Sequence, residues 1–150
     1  MESGGGDSKR NVTLDSNIII GHAISKNDDS LLRCVVIKCV SEDIPMLTGA
    51  IVKECLNYTR KADSKISYTA MKKRLNEIST NVIELEPISM EELERKYKIR
   101  AKKDLIILHS AEFTGSVIIV TQDQHFNDVK GVKAKIMHPK EYLHEKREDE

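Results

Sequence analysis

The sequence predicts an α/β fold in which a mostly parallel sheet carries helices on both faces. Strand-like apolar runs alternate with helix-like segments along the chain, a pattern typical of parallel strands joined by helices. The run at 11–15 is strand-like, and the β-branched run at 116–121 (SVIIVT) is the clearest buried strand. The length of 150 residues fits one domain with a hydrophobic core of its own.

The first half of the chain supplies two strands and three helices. After the first strand, apolar residues in 29–42 recur with the one-sided spacing of an amphipathic helix. A short second strand is predicted at 44–48 (IPMLT), and Thr48 can cap a helix over 50–60. The apolar spacing predicts a further helix over 64–79.

The second half continues the alternation. A strand-like run at 81–87 precedes a helix that Ser89 and Glu92 can open as a capping box. The next helix, over about 101–114, ends at Gly115, a common C-terminal stop.

After the 116–121 strand, a last short strand is predicted at 133–137, and Pro139 opens a terminal helix. The chain therefore divides into a flexible leader at 1–10, a folded domain at 11–143 and a charged tail at 144–150.

Charge and hydropathy narrow the function classes. Lys and Arg number 24, as do Asp and Glu, so the zero net charge gives no global attraction to nucleic acid. A local basic patch remains compatible with that balance. No apolar run approaches the length of about 20 residues that a membrane helix needs. The first ten residues lack the apolar core of a signal peptide. A cytoplasmic protein with no membrane segment is expected.

Four acids follow strands or open helices in a way that places them at one edge of the sheet. Asp15 ends the first strand, and Asp123 follows the 116–121 strand. The carboxyl ends of parallel strands are the edge where ligands bind in such sheets. Glu54 lies in the helix after the second strand, and Asp104 lies in the first turn of its helix. These four carboxylates, far apart in sequence, can therefore converge.

Clustered carboxylates repel one another and raise each other's pKa unless a cation neutralises them. Mg²⁺ and Mn²⁺ prefer oxygen ligands, and such ions can activate water against a phosphodiester. Taken singly, each acid also fits a turn, a helix cap or a solvated helix position. The order and placement of all four together favour a metal site.

These segments resemble the PIN-domain ribonucleases over roughly 11–143. The resemblance lies in LDSNIII, VKECLN, KKDLIILHSAEFTG and VIIVTQDQHF, the last containing the Thr-x-Asp signature of that family. Within the family the chain is most similar to small single-domain toxins of the VapC type. The resemblance implies a PIN-like three-layer sandwich and a metal-dependent endoribonuclease.

The resemblance also implies a role for each residue of the site. Asp15, Glu54, Asp104 and Asp123 would be catalytic and would bind Mg²⁺ or Mn²⁺. Asn17 and Thr121 would support the site by hydrogen bonding. Many relatives carry a further acid where this chain has His125, which can weaken a second metal site. A non-catalytic PIN-like module that binds RNA or protein is therefore the alternative.

A basic run at 95–103 (RKYKIRAKK) directly precedes Asp104. It can be a solvated helix face or a track for the RNA backbone. In the second interpretation Lys102 and Lys103 contact phosphates, and His125 contacts RNA beside the site. Two tyrosines, Tyr58 and Tyr97, can stack on unpaired bases or pack in the core.

The expected partners are RNA, a second copy of the chain and an antitoxin protein. The apolar helices at 29–42 and 64–79 offer more apolar surface than one small sheet can cover, which favours a homodimer. A phosphatase of the haloacid dehalogenase type is disfavoured, because it needs Asp-x-Asp where this chain has Asp15-Ser16-Asn17.

Overall fold

The structure, a computed structural model, describes residues 9–99, 101–123, 126, 129 and 131–146. It contains the following strands: β1 Asn11–Leu14, β2 Ile44–Pro45, β3 Leu47–Thr48, β4 Val82–Ile83, β5 Ile118–Val120 and β6 Lys135–Met137. Four of them form a sheet in the order β2–β1–β5–β6, and β3 pairs with β4. Every pair is parallel, which confirms the predicted sheet type.

The second predicted strand, at 44–48, is divided into β2 and β3. Met46, between them, donates its N–H to the Val12 carbonyl at 2.9 Å, so the chain stays alongside β1. The β3–β4 pair forms a separate two-stranded sheet that follows directly from β2 along the chain. The predicted strand at 81–87 is much shorter than expected, because only Val82 and Ile83 pair in the ladder.

Helices flank this sheet, again as predicted. They are α1 Ser16–Ile24, α2 Leu31–Glu42, α3 Gly49–Tyr58, α4 Tyr68–Ile78, α5 Met90–Tyr97, α6 Lys102–Phe113 and α7 Pro139–Leu143. Helix α2 packs with α1 and α7, whereas α6 packs with α3 and α5. Thr48 caps α3 as predicted, and Ser89 caps α5 by accepting the N–H of Glu92 at 3.1 Å. Helix α4 begins later than predicted, because Ser67 is its N-cap. None of the described helices is long and apolar enough to cross a membrane.

Helix α1 is an element that the sequence did not predict. Its apolar residues follow β1 directly, and Ile18, Ile19 and Ala23 are all buried. A helix buried on most sides lacks the polar stripe that makes a helix recognisable from spacing. Gly21 allows α1 to lie close to α2, because a Cβ at this position would be 2.1 Å from Leu32 Cδ1.

An ionic network, here called the terminal clasp, joins Arg10, Asp43, Tyr142 and Glu145. The Arg10 guanidinium donates to both carboxylate oxygens of Asp43, each at 3.0 Å, and to those of Glu145 at 2.8 and 2.9 Å. The Tyr142 hydroxyl donates to Asp43 Oδ2 at 2.6 Å. Arg10 was assigned to the leader and Glu145 to the tail. The clasp ties both to the end of α2, far along the chain from either terminus.

Candidate metal centre

Asp15 lies at the carboxyl end of β1, where its backbone N–H donates to the Val120 carbonyl of β5 at 3.0 Å. Its carboxylate is buried and accepts the Thr121 hydroxyl at 2.8 Å, and the Ser16 hydroxyl lies at 3.4 Å. Asp15 also occupies the N-cap position of α1, yet in the described part of the chain its side chain caps no helix N–H. The side chain is therefore held at the sheet edge by hydroxyl groups and is not serving as a helix cap.

Thr121 makes three hydrogen bonds at this edge of the sheet. Its N–H donates to the Met137 carbonyl of β6, and its hydroxyl donates to Asp15. The same hydroxyl oxygen accepts the backbone N–H of Asp123 at 3.0 Å. Thr121 therefore contacts Asp15 by a hydrogen bond, while its supporting role at a metal site stays a prediction. These contacts also hold Asp123 just after β5 by its backbone, through the same Thr121 hydroxyl that contacts Asp15.

Glu54 is brought to Asp15 by α3. The side chain of Glu54 is 18% exposed, and its Oε2 is 3.5 Å from the Lys103 ammonium at the start of α6. The other oxygen, Oε1, is buried and has no hydrogen-bond partner among the described residues. A buried carboxylate oxygen without a partner is costly, so a cation or a donor at this position would stabilise it.

The pKa of the Glu54 carboxyl depends on charged groups at the same edge of the sheet. Burial raises the pKa of the Glu54 carboxyl, the Lys103 ammonium opposes that rise, and the negative charge of Asp15 adds to it. The two carboxylates are thus close enough to act on each other, although 39 positions separate them in the sequence. A divalent cation between them would remove this repulsion.

The other two predicted acids lie at the start of α6 and after β5. Asp104 is buried in the first turn of α6, as the sequence predicted, one residue after Lys103. Asp123 is partly exposed. Across the ranges that the structure describes, no three His, Cys, Asp or Glu side chains form a group that could hold a metal ion. The role of all four acids as ligands therefore stays a prediction.

The Asp15–Glu54 pair by itself fits a hard divalent cation. It offers carboxylate oxygens, one of them buried and unpaired, at a sheet edge near the basic start of α6. Mg²⁺ commonly takes only one or two protein carboxylates and keeps several waters, which a substrate phosphate can replace. Asn17 is exposed in the first turn of α1, and its supporting role stays a prediction.

A pocket of about 560 Å³ opens beside this pair, between α1, α3 and the start of α6. Glu54 lines it together with Lys53, Lys61, Lys102 and Lys103, so four lysines share one pocket with this carboxylate. This pocket is called the lysine pocket below. The sequence had indicated Lys102 and Lys103. Lys61 belongs to a second basic cluster that the sequence places just beyond the Glu54 helix, whereas the sequence gave no comparable signal for Lys53, whose relevance depends on which face of α3 turns toward α6.

Three further residues considered for RNA contact have different outcomes. Tyr97 is 1% exposed and its hydroxyl donates to Glu112 at 2.6 Å, so its proposed stacking on bases is wrong and its role is in the core. Tyr58 is partly exposed and lines the lysine pocket. His125, proposed as an RNA contact, lies outside the described residues.

Comparison with solved structures supports the fold. No family model matches the sequence, and no curated protein matches it either. A chain of VapBC2 from Rickettsia felis, crystallised with a DNA fragment from its promoter, superposes with a TM-score of 0.63. The match covers 85% of this chain and 98% of that chain at 17% sequence identity. The chain therefore has an α/β fold similar to that neighbour, in agreement with the PIN-like fold that the sequence predicted.

Proposed function

We propose that this chain is a Mg²⁺- or Mn²⁺-dependent endoribonuclease that hydrolyses phosphodiester bonds in RNA. The observation that carries the proposal is the position of Glu54, which lies on α3 within electrostatic range of Asp15 at the carboxyl edge of a parallel sheet. Glu54 Oε1 is buried there without a partner among the described residues. The four lysines of the adjacent pocket are complementary to a phosphodiester backbone.

In this proposal each residue of the site has a specific role. Asp15, oriented by the Thr121 hydroxyl, and Glu54 would hold the metal, with Asp104 and Asp123 completing the acidic edge. When bound, the metal would activate a water molecule and neutralise charge on the phosphodiester. The lysines would hold the flanking phosphates. They would also offset the negative charge that RNA brings toward the carboxylates.

Cleavage of a labelled single-stranded RNA tests this proposal. The protein should cleave in Mn²⁺ or Mg²⁺, lose activity in excess EDTA and recover it when metal is restored. Cleavage that persists in EDTA, in a preparation free of contaminating nuclease, would contradict metal dependence. Absence of cleavage of a varied set of RNAs would contradict the proposal that the chain is an endoribonuclease.

A second candidate function is a non-catalytic module that binds RNA or protein through the same surface. The observation that favours it is that no three potential ligands gather into a metal-holding group within the described ranges. A Mn²⁺ titration followed by thermal unfolding separates the two. An enzyme with a metal site should be stabilised by about 2.7 kcal/mol at a metal concentration of 100 Kd, and a metal-free module should not respond.

The expected partners follow from the fold neighbour, which is part of a VapBC complex. We propose that this chain acts in the cytoplasm as the toxin of a toxin–antitoxin pair, with a small antitoxin protein as its inhibitor. We further propose a homodimer, because exposed apolar side chains such as Ile37 and Val40 remain on α2. Light scattering that gives the 17.0 kDa mass of one chain would contradict the dimer.

Lys102→Ala and Lys103→Ala form a matched pair for the lysine pocket. Each should lower the salt slope of RNA binding by roughly 0.7, the value for one phosphate contact with a single strand. Only Lys103→Ala should also tighten Mn²⁺ binding, since Lys103 contacts Glu54 Oε2. The gain should be at most about fivefold, because an exposed ion pair contributes under about 1 kcal/mol. Fluorescence anisotropy at several salt concentrations and calorimetry measure the two effects.

If the salt slope of RNA binding is unchanged in both variants, these lysines lie on a solvated face and do not contact phosphates. Equal Mn²⁺ affinities in Lys102→Ala and Lys103→Ala would show that the Lys103 ammonium does not compete for Glu54.

A further inference from the structure

We propose that the lysine pocket binds one unpaired nucleotide of the substrate RNA, with its base against Tyr58 and its phosphate among the lysines. This inference rests on the proposed function, since it assigns the substrate a position next to the candidate metal centre. Glu54 lines the pocket and contacts Lys103, so a nucleotide seated there would neighbour the bond that is cleaved.

The size of the pocket suits a nucleotide. Its volume of about 560 Å³ lies within the range of about 300–1,000 Å³ typical of small-molecule sites. Its mouth and walls come from three helices that also position the acids. A base that enters this space must be unpaired, because a base inside a duplex remains stacked between its neighbours.

The chemistry of the pocket divides into an apolar part and a charged part. Tyr58, Ile20 and Ile106 line it and are all partly buried, so they offer an aromatic ring and aliphatic contacts. The lysine side chains are exposed, and the Lys61 ammonium lies 5.8 Å from the centre of the Tyr58 ring. A flat base with an anionic phosphate matches this combination, since aromatic side chains stack on bases and ammonium groups contact the backbone.

The amide groups of Asn17 and Asn57 also line the pocket. Each amide offers both a donor and an acceptor, as base edges do. An acidic peptide would be attracted by the same lysines. Its backbone could pair with both amides, but its carboxylates offer no flat ring to stack on Tyr58, so the observations favour the nucleotide.

Binding of a short fluorescently labelled single-stranded RNA, measured by anisotropy in EDTA, tests the pocket without any cleavage. Tyr58→Ala should weaken binding about 5- to 100-fold, the effect of losing one stacked base. Tyr58→Phe should bind nearly as wild type. The matched control is Tyr68→Ala. Tyr68 is an exposed tyrosine on α4, and the Lys72 ammonium lies 5.7 Å from the centre of its ring.

A second measurement uses the wild-type protein and modified RNA. Single abasic substitutions are moved along the RNA, and one position should weaken binding by a similar factor. That penalty should disappear in Tyr58→Ala, because the same contact is then already lost. An abasic penalty that is equal in wild type and Tyr58→Ala would overturn the proposal, as would equal affinities of Tyr58→Ala and Tyr68→Ala.

The outcomes distinguish this inference from the proposed function. A protein that cleaves RNA in Mn²⁺ but shows no Tyr58-dependent abasic penalty is a nuclease without this nucleotide pocket. A protein that shows the penalty in EDTA but never cleaves RNA has the pocket and belongs to the non-catalytic class. If an acidic peptide binds tightly and RNA binding does not depend on the base, the pocket binds a protein segment and the nucleotide proposal is wrong.

Discussion

Asp15→Asn is expected to lower the single-turnover rate of RNA cleavage by about a thousandfold. This corresponds to about 4 kcal/mol of transition-state stabilisation, within the several kcal/mol that a bound metal supplies. The substitution keeps an oxygen that can accept the Thr121 hydroxyl and removes the negative charge that raises the pKa of Glu54. The variant should therefore unfold within a few degrees of wild type, as thermal melting can check.

The matched control for this substitution is Asp28→Asn. Asp28 is an exposed acid that pairs with Arg33 at 2.8 Å, and it does not line the lysine pocket. Its replacement should leave the cleavage rate unchanged. Comparable rates for Asp15→Asn and wild type would remove Asp15 from the catalytic machinery.

Asp43→Ala is expected to destabilise the fold by about 2–4 kcal/mol, because it removes the charge-assisted hydrogen bonds that the Arg10 guanidinium donates to Asp43. The Asp43 side chain is 0% exposed and accepts from Arg10 through both oxygens. Its removal would also leave the buried Tyr142 hydroxyl without the hydrogen bond that it donates to Asp43. For a chain of this size the melting temperature should fall by on the order of 10 °C.

Asp28→Ala provides the contrast for this prediction as well. It breaks another arginine–aspartate pair, but the Asp28 side chain is 89% exposed. Exposed pairs contribute about 0–1 kcal/mol, so its melting temperature should change by only a few degrees. Equal losses in Asp43→Ala and Asp28→Ala would show that the terminal clasp has no special role in stability.

The sequence predicted the parallel sheet and its ligand-binding edge because those features depend on local patterns. The β-branched run that becomes β5 and the acids that follow β1 and β5 could be recognised without any tertiary contact. The topological rule for parallel sheets then placed Asp15 and Asp123 at one edge. The position of Asp104 followed similarly from the helix start that contains it.

Features that depend on tertiary contacts could not be predicted. Helix α1 is buried on most of its surface, so its residues lack the alternation that marks an amphipathic helix. Arg10 and Glu145 lie in polar segments that resemble a leader and a tail, and only the folded chain brings Arg10 to both Asp43 and Glu145. Tyr58 and Tyr97 have similar basic neighbours in sequence, yet Tyr58 is partly exposed in the lysine pocket and Tyr97 is buried in the core.

The central claim is that Asp15 and Glu54 together bind a divalent metal ion. Calorimetric titration of Mn²⁺ into the wild-type protein, Asp15→Asn, Glu54→Gln and the control Asp28→Asn tests it most directly. The account predicts that wild type and Asp28→Asn bind Mn²⁺ with the same affinity, while Asp15→Asn and Glu54→Gln each bind at least tenfold more weakly, a loss of about 1.4 kcal/mol. Equal Mn²⁺ affinities in all four proteins, or no binding by wild type, would contradict it.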